Sequence, residues 1–196
     1  MRFFVTGEQR RQSLLNTIVL LFLAYIALLW VSNGMMYFHK MGLSANSVVE
    51  YYLGSEEKFT QPKSYQSLLE VSHFHLFSMG MLAVTLTHLL LFANVSMGLK
   101  IGLSLATFGA TIADELAGWL VRFVHPAFAY FKIASFLTLE ASLAALVVVV
   151  GASLWTQRAA LRDSDEPRSS APAPQGVREE ARAYSATLHQ SRSAAR

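Results

Sequence analysis

Apolar residues dominate four long runs, Leu14–Phe38, Val71–Met97, Leu99–Val124 and Ala127–Trp155. None leaves the broad polar face that a helix at a water-covered surface carries. Each reaches the roughly 20 residues a helix needs to cross a hydrocarbon core of about 30 Å. The pattern predicts an all-α integral membrane protein, an antiparallel four-helix bundle with spans at about 14–38, 71–97, 99–124 and 127–156. The first run follows Arg2, Arg10 and Arg11, as a signal peptide would. It exceeds the roughly 7–15 apolar residues of a cleavable leader, and no small-x-small cleavage site follows, so it is read as a retained span.

The connections differ in length. Spans 2 and 3 are expected to join through about two residues around Gly98, and spans 3 and 4 through His125–Pro126, which makes these three helices antiparallel neighbours. The long connection is the outer loop 39–70. Within it Ser47-x-x-Glu50 reads as a capping box ahead of Val48, Val49, Tyr52 and Leu53, with Gly54 as the stop. After Pro62, Ser64 is placed to cap a helix that continues into span 2 and carries Glu70, His73 and His75 near the interface. Beyond residue 156 the pattern ends. Residues 157–196 are rich in Arg, Ser, Ala, Pro and Glu, and they predict a disordered cytoplasmic tail with a fluctuating helix over Arg178–His189. The folded domain is therefore expected at 1–156.

Composition agrees with the pattern and adds an orientation. Apolar residues make up 53% and charged residues 15%, against about 25% charged in an ordinary soluble domain. The spans place Arg2, Arg10, Arg11, Lys100 and the seven arginines after residue 157 on one side, and Lys40, Lys58, Lys63, Arg122 and Lys132 on the other. The positive-inside rule then puts both termini in the cytoplasm. The net charge of +3 is a topology signal, because no basic cluster is interleaved with stacking aromatics, and no nucleic-acid partner is expected. Cysteine is absent, which excludes disulfides, thiolate metal sites and cysteine nucleophiles.

The remaining chemistry is concentrated in ionisable residues at membrane depth, which are costly there and read as functional by default. They are His88 in span 2, Asp114 and Glu115 in span 3, and Glu140 in span 4. His73 and His88 fall within about 60° on one helical face, a spacing by which one span can offer axial ligands to two stacked b-type haems. His39 or His125 is expected to pair with His73 or His75 around an outer haem, with Arg122 or Lys132 at its propionates. His88 would need a Met, a partner subunit or a symmetry mate. Glu70-x-x-His73 together with His75 and Asp114 alternatively reads as a mononuclear zinc, copper or iron site. Asp114, Glu115 and Glu140, at similar depth, are expected to share a proton or form a small polar core, with Glu115 reaching toward Arg122. Gly102, Gly109 and Gly118 read as close-packing sites.

The stretch Tyr51–Leu91, with Tyr-Tyr-Leu-Gly-Ser-Glu-Glu-Lys-Phe and Glu70-Val-Ser-His73-Phe-His75-Leu-Phe, resembles a group of small proteobacterial four-helix inner-membrane proteins. Asp114, Trp119, Leu120, Val121 and Arg122 continue the likeness in span 3. The resemblance implies the span count and points to His73, His75, His88, Asp114 and Arg122, without a reaction. In its histidine spacing alone, span 2 is similar to membrane cytochromes b. Three functions are thus expected. The first is a redox subunit that binds haem b near the outer face and exchanges electrons between quinone and a periplasmic partner. The second is a metal-binding membrane protein using His73, His75 and Asp114. The third is an accessory subunit of a respiratory or photosynthetic complex. A homodimer would supply a second His88. No phosphate loop or nucleophile elbow offers a stand-alone enzyme.

Overall fold

The computed structural model describes residues 2–165. Of the tail expected to be disordered from residue 157, residues 157–165 are instead helical, continuing the last helix, and the remainder, with the helix expected at 178–189, lies outside the described residues. Residues 2–155 belong to one compact unit, and the described residues 156–165 lie beyond it. The elements run α1 (Arg2–Lys40), α2 (Ala45–Leu53), α3 (Tyr65–Leu91), α4 (Met97–Phe123), one 3-10 turn (Pro126–Phe128) and α5 (Ala129–Asp165). The described chain is helical apart from its connections and one isolated bridge, Ser55 to Thr60.

Three helical stretches are long and apolar enough to cross a membrane: Ser13–Lys40, Tyr65–Leu91 and Pro126–Thr156. α4 equals α3 in length at 27 residues, about 40 Å of helix, but Lys100, Asp114, Glu115 and Arg122 make it less apolar. The bundle carries large apolar side chains on its outside, among them Leu21, Leu28, Phe74, Phe77, Leu105 and Val148. Water would not tolerate so continuous a coat, whereas lipid does.

Local signals set the helix ends. Ser64 caps α3 as expected, its hydroxyl accepting from the Ser67 amide at 3.1 Å. Gly54 stops α2 at φ +81, where a Cβ would lie 2.5 Å from the Thr60 carbonyl oxygen, so only glycine fits. Two boundaries differ from expectation. The α2 cap is Ser44, which accepts from the Ser47 amide at 3.3 Å, while the Ser47 hydroxyl donates to the Ser44 carbonyl at 2.8 Å. Ser47 is therefore inside the first turn and does not head a capping box. The joint between the second and third long helices is not at Gly98. α3 ends at Leu91, and Ser96 opens α4 by accepting from the Leu99 amide. Lys100 Nζ donates to the Leu91 carbonyl at 2.7 Å, closing the turn between them.

Two apolar clusters fill the interior. One holds Leu23, Ile26, Leu82, Leu86, Leu139 and Leu146. The other lies toward the α2 end and holds Tyr37, Met41, Val48, Tyr52, Leu68, Val121 and Phe136. Along α1, α3 and α4, Asn33, His75, Asp114 and Glu115 fall between the residues given to the two clusters. A polar layer thus interrupts an otherwise apolar core.

Candidate functional site

Each carboxylate of this layer has its own partner on a neighbouring helix. On α3, Ser72 and His75 are three residues apart and share a face. On α4, Glu115 and Trp119 do the same at a spacing of four. They meet as two rungs: Trp119 Nε1 donates to the Ser72 hydroxyl at 2.8 Å, and His75 Nδ1 lies 2.9 Å from Glu115 Oε1. The Glu115 side chain is largely buried and that of His75 is half exposed.

Asp114 points the other way, because adjacent residues on a helix are about 100° apart. Its Oδ2 lies 2.8 Å from Lys132 Nζ on α5, and Lys132 also donates to the Asp114 carbonyl at 3.0 Å. The Ser135 hydroxyl donates to the Lys132 carbonyl at 3.0 Å and stands 3.4 Å from Asp114 Oδ1. Lys132 is buried, and the carboxylate beside it is what makes a buried ammonium tolerable. About two turns beyond Lys132 on α5, Glu140 accepts from Asn33 Nδ2 of α1, and its carbonyl accepts from Trp30 Nε1 at 3.0 Å. Polar rungs therefore tie α3 to α4, α4 to α5 and α5 to α1.

α2 covers the end of this arrangement. A Cβ on Gly118 would lie 2.8 Å from Tyr52 Oη, so α4 needs glycine there to admit the ring. Tyr51 meets Tyr52 edge to face at 5.0 Å, and Lys63 Nζ sits 4.4 Å from the Tyr51 ring centroid. Burial raises the Tyr52 phenol well above its ordinary value, helped by the charges of Asp114, Tyr51 and Glu115; burial likewise raises Tyr51. At the exposed turn, the hydrogen bond from Lys58 to Glu50 holds the Lys58 ammonium above its usual range. Beneath α2 lies a cavity of about 120 Å³ lined by Asn33, Tyr37, Tyr52, His75, Glu115, Trp119 and Lys132, among others.

The sequence-predicted residues divide between this cavity and the periphery. His75, Asp114 and Glu115 line it. His73 is exposed on α3, its ring edge-on to Phe74 at 5.8 Å, and His88 is exposed against Phe92 near the other end. His39 is exposed, and His125 Nδ1 caps the 3-10 turn by accepting from the Ala127 amide at 3.1 Å. Neither is brought to His73 or His75 as a second imidazole. Glu70 is exposed and accepts from Gln66 Nε2 at 3.0 Å. Among the described residues, no three His, Asp or Glu side chains form a group that could hold a metal ion. Arg122 does not reach Glu115; its Nε donates to the Lys63 carbonyl at 2.8 Å and straps the segment between α2 and α3 to α4. Asp114, Glu115 and Glu140 are not joined to one another. Of the three glycines of α4 expected to allow close packing, Gly118 does so, while Gly102 and Gly109 have nothing within 4 Å of a built Cβ.

Tyr37, Asn33, Tyr51 and Tyr52 were not among the expected site residues. For α2 the tyrosine pair beside a glycine stop was the available signal. For α1 the near-uniform apolarity hides the buried face, though Asn33 and Tyr37, at a spacing of four, were polar residues near the cavity end of it.

Comparison with curated proteins and with solved structures gives no match. A family model, by contrast, matches residues 42–161, more than half of the chain, taking in α2, α3, α4 and the α5 residues of the cavity. This chain belongs to that family, Aq_1264_TM, a transmembrane helical domain.

Proposed function

We propose that the chain is a four-span protein of the bacterial inner membrane, with cytoplasmic termini, that binds the ring of a quinone-class lipid in the cavity beneath α2. The fourth span is α4. Its charges lower its hydropathy, but Asp114 and Glu115 face Lys132 and His75 instead of lipid, and Leu105, Ile112 and Leu116 supply an apolar outer surface. The Lys and Arg distribution puts the α2 end outside.

The observation that carries the binding reading is the cavity itself, about 120 Å³ walled by two ion pairs and by tyrosine and tryptophan rings. That is near the size of a dry cavity of about 150 Å³ that admits benzene, and polar groups converging on an apolar pocket are what orients a small ligand. His75 and Glu115 are the proton-exchanging pair. A quinol oxidised there loses two electrons to a periplasmic redox partner and two protons, which leave through the pair toward the outer face. Decylubiquinone titrated into the protein in lipid nanodiscs, against empty nanodiscs, tests this. Saturable binding weakened about tenfold or more by His75→Ala and Glu115→Gln is expected. Binding that never saturates, or that both variants leave unchanged, overturns it.

One observation favours a second reading, haem b or a transition metal. A carboxylate on one ring nitrogen is how proteins commonly orient a ligating imidazole, and Glu115 on Nδ1 leaves Nε2 of His75 for an iron or other metal. The second ligand would come from another copy or from a larger respiratory or photosynthetic complex. Reduced-minus-oxidised spectra and metal analysis of the same preparation decide: haem bands or stoichiometric metal lost in His75→Ala support this reading, and their absence removes it.

A further inference from the structure

Tyr37 is 6% exposed, and its hydroxyl is the buried side-chain polar atom among the described residues that has no hydrogen-bond partner. Buried hydroxyls are normally paired, and one that is not calls for a missing partner. The ring cannot swing to find one within the protein. It stacks on Phe136 with centroids 3.6 Å apart and planes 8° from parallel, and Phe38 meets it edge-on at 5.7 Å. Tyr37 also lines the cavity beneath α2.

A second donor stands beside it. Lys132 is one turn before Phe136 on α5, so it shares the face on which Tyr37 is stacked, and it lines the same cavity. Of its three N–H groups, one goes to Asp114 Oδ2 and one to the Asp114 carbonyl, which leaves one. An ammonium only donates, and a phenol hydroxyl donates or accepts. The atom that satisfies both is an oxygen with free lone pairs. Asp114 already balances the Lys132 charge, so the subsite carries no surplus positive charge for an anion.

We infer that the Tyr37 hydroxyl and the third N–H of Lys132 form a subsite for a neutral carbonyl oxygen of the molecule that occupies this cavity. This rests on reading the cavity as a ligand site, but not on the ligand being a quinone.

Tyr37→Phe removes the hydroxyl and keeps the stacked ring. Full-length wild type and variant are compared by thermal unfolding in three states: extracted directly from their membranes in polymer nanodiscs, which retain an endogenous occupant; delipidated in detergent; and delipidated with decylubiquinone added. The variant is expected to melt about 2–4 °C below wild type with an occupant present, the shift of one ordinary hydrogen bond in a chain of this size. The gap should close or reverse in the delipidated protein, where the hydroxyl is only a burden. A gap in the native nanodiscs that decylubiquinone does not restore supports the carbonyl subsite and removes the quinone. A gap restored by decylubiquinone supports both. A gap that never appears, or that is the same in all three states, overturns the subsite.

Discussion

His75 Nδ1 and Glu115 Oε1 stand 2.9 Å apart across the α3–α4 contact, one helical turn from the rung that Trp119 makes with Ser72. The pair sits where the two apolar clusters part, so it marks the level at which this bundle gives up close packing for polar contact. Its half-exposed imidazole and largely buried carboxylate make the two members unequal. Removing His75 strands a charge, whereas removing Glu115 leaves a ring that water or headgroups can still reach.

That inequality has a measurable sign. Glu115→Gln is expected to cost about 1 kcal/mol of stability in detergent and His75→Ala about 2 kcal/mol, with a coupling near 1 kcal/mol in the double variant. Reversible unfolding of all four proteins gives the cycle. A coupling of zero would mean that the contact contributes nothing.

The Asp114–Lys132 pair is more deeply set, and its removal should be more costly in halves than whole. Lys132→Met or Asp114→Asn alone is expected to destabilise by about 3 kcal/mol, because each leaves a buried group without its partner, while the double variant recovers a substantial part. If the double variant is as unstable as the sum of the singles, the two residues act independently and the geometry misleads.

What could be read from the sequence follows the range of the forces involved. Helix caps are local, so Ser64 and Gly54 were legible from their own neighbourhoods. The end of α3 was not, because Leu89, Leu90, Leu91 and Phe92 continue an apolar run that says nothing of where the hydrogen-bond ladder stops. Ser96 was the signal, a small polar residue two positions after Asn94 in an otherwise apolar run. Asp114 and Glu115 announced a polar layer, and their adjacency required that they face different helices. Which residues they meet depends on helix rotation, which uniformly apolar faces do not encode. The histidines misled for the same reason: spacing along α3 aligned His73 with His88, but packing set the half-exposed His75, not His73, against Glu115 at the cavity.

Gly118 and Tyr52 offer a test of how α2 is held. Gly118→Ala puts a Cβ 2.8 Å from Tyr52 Oη and 3.1 Å from the nearest ring carbons, and Tyr52 is buried with little room to yield. A loss of about 1–3 kcal/mol is expected. Tyr52→Phe removes the closest contact, so Gly118→Ala combined with Tyr52→Phe should lose less than Gly118→Ala alone. Thermal unfolding of the three variants measures this, and an unrelieved loss would place the clash elsewhere.

Tyr52 also predicts a pH response. Its phenol is raised above the ordinary value, mainly by burial and then by the nearby charges of Asp114, Tyr51 and Glu115. An unfolded chain ionises its tyrosines near pH 10. Below that value both states hold the proton, and the contribution of neutral Tyr52 to stability is fully present. As pH rises from there toward the folded value, the unfolded state loses its proton first and stability falls. Phenolate absorbance of the folded protein should therefore lack the Tyr52 contribution until unfolding, and Tyr52→Phe should leave the folded amplitude unchanged while flattening the alkaline loss of stability. A folded amplitude that drops by one tyrosine in Tyr52→Phe would show that the phenol reaches solvent, and that α2 does not cover the cavity as its packing against Gly118 implies.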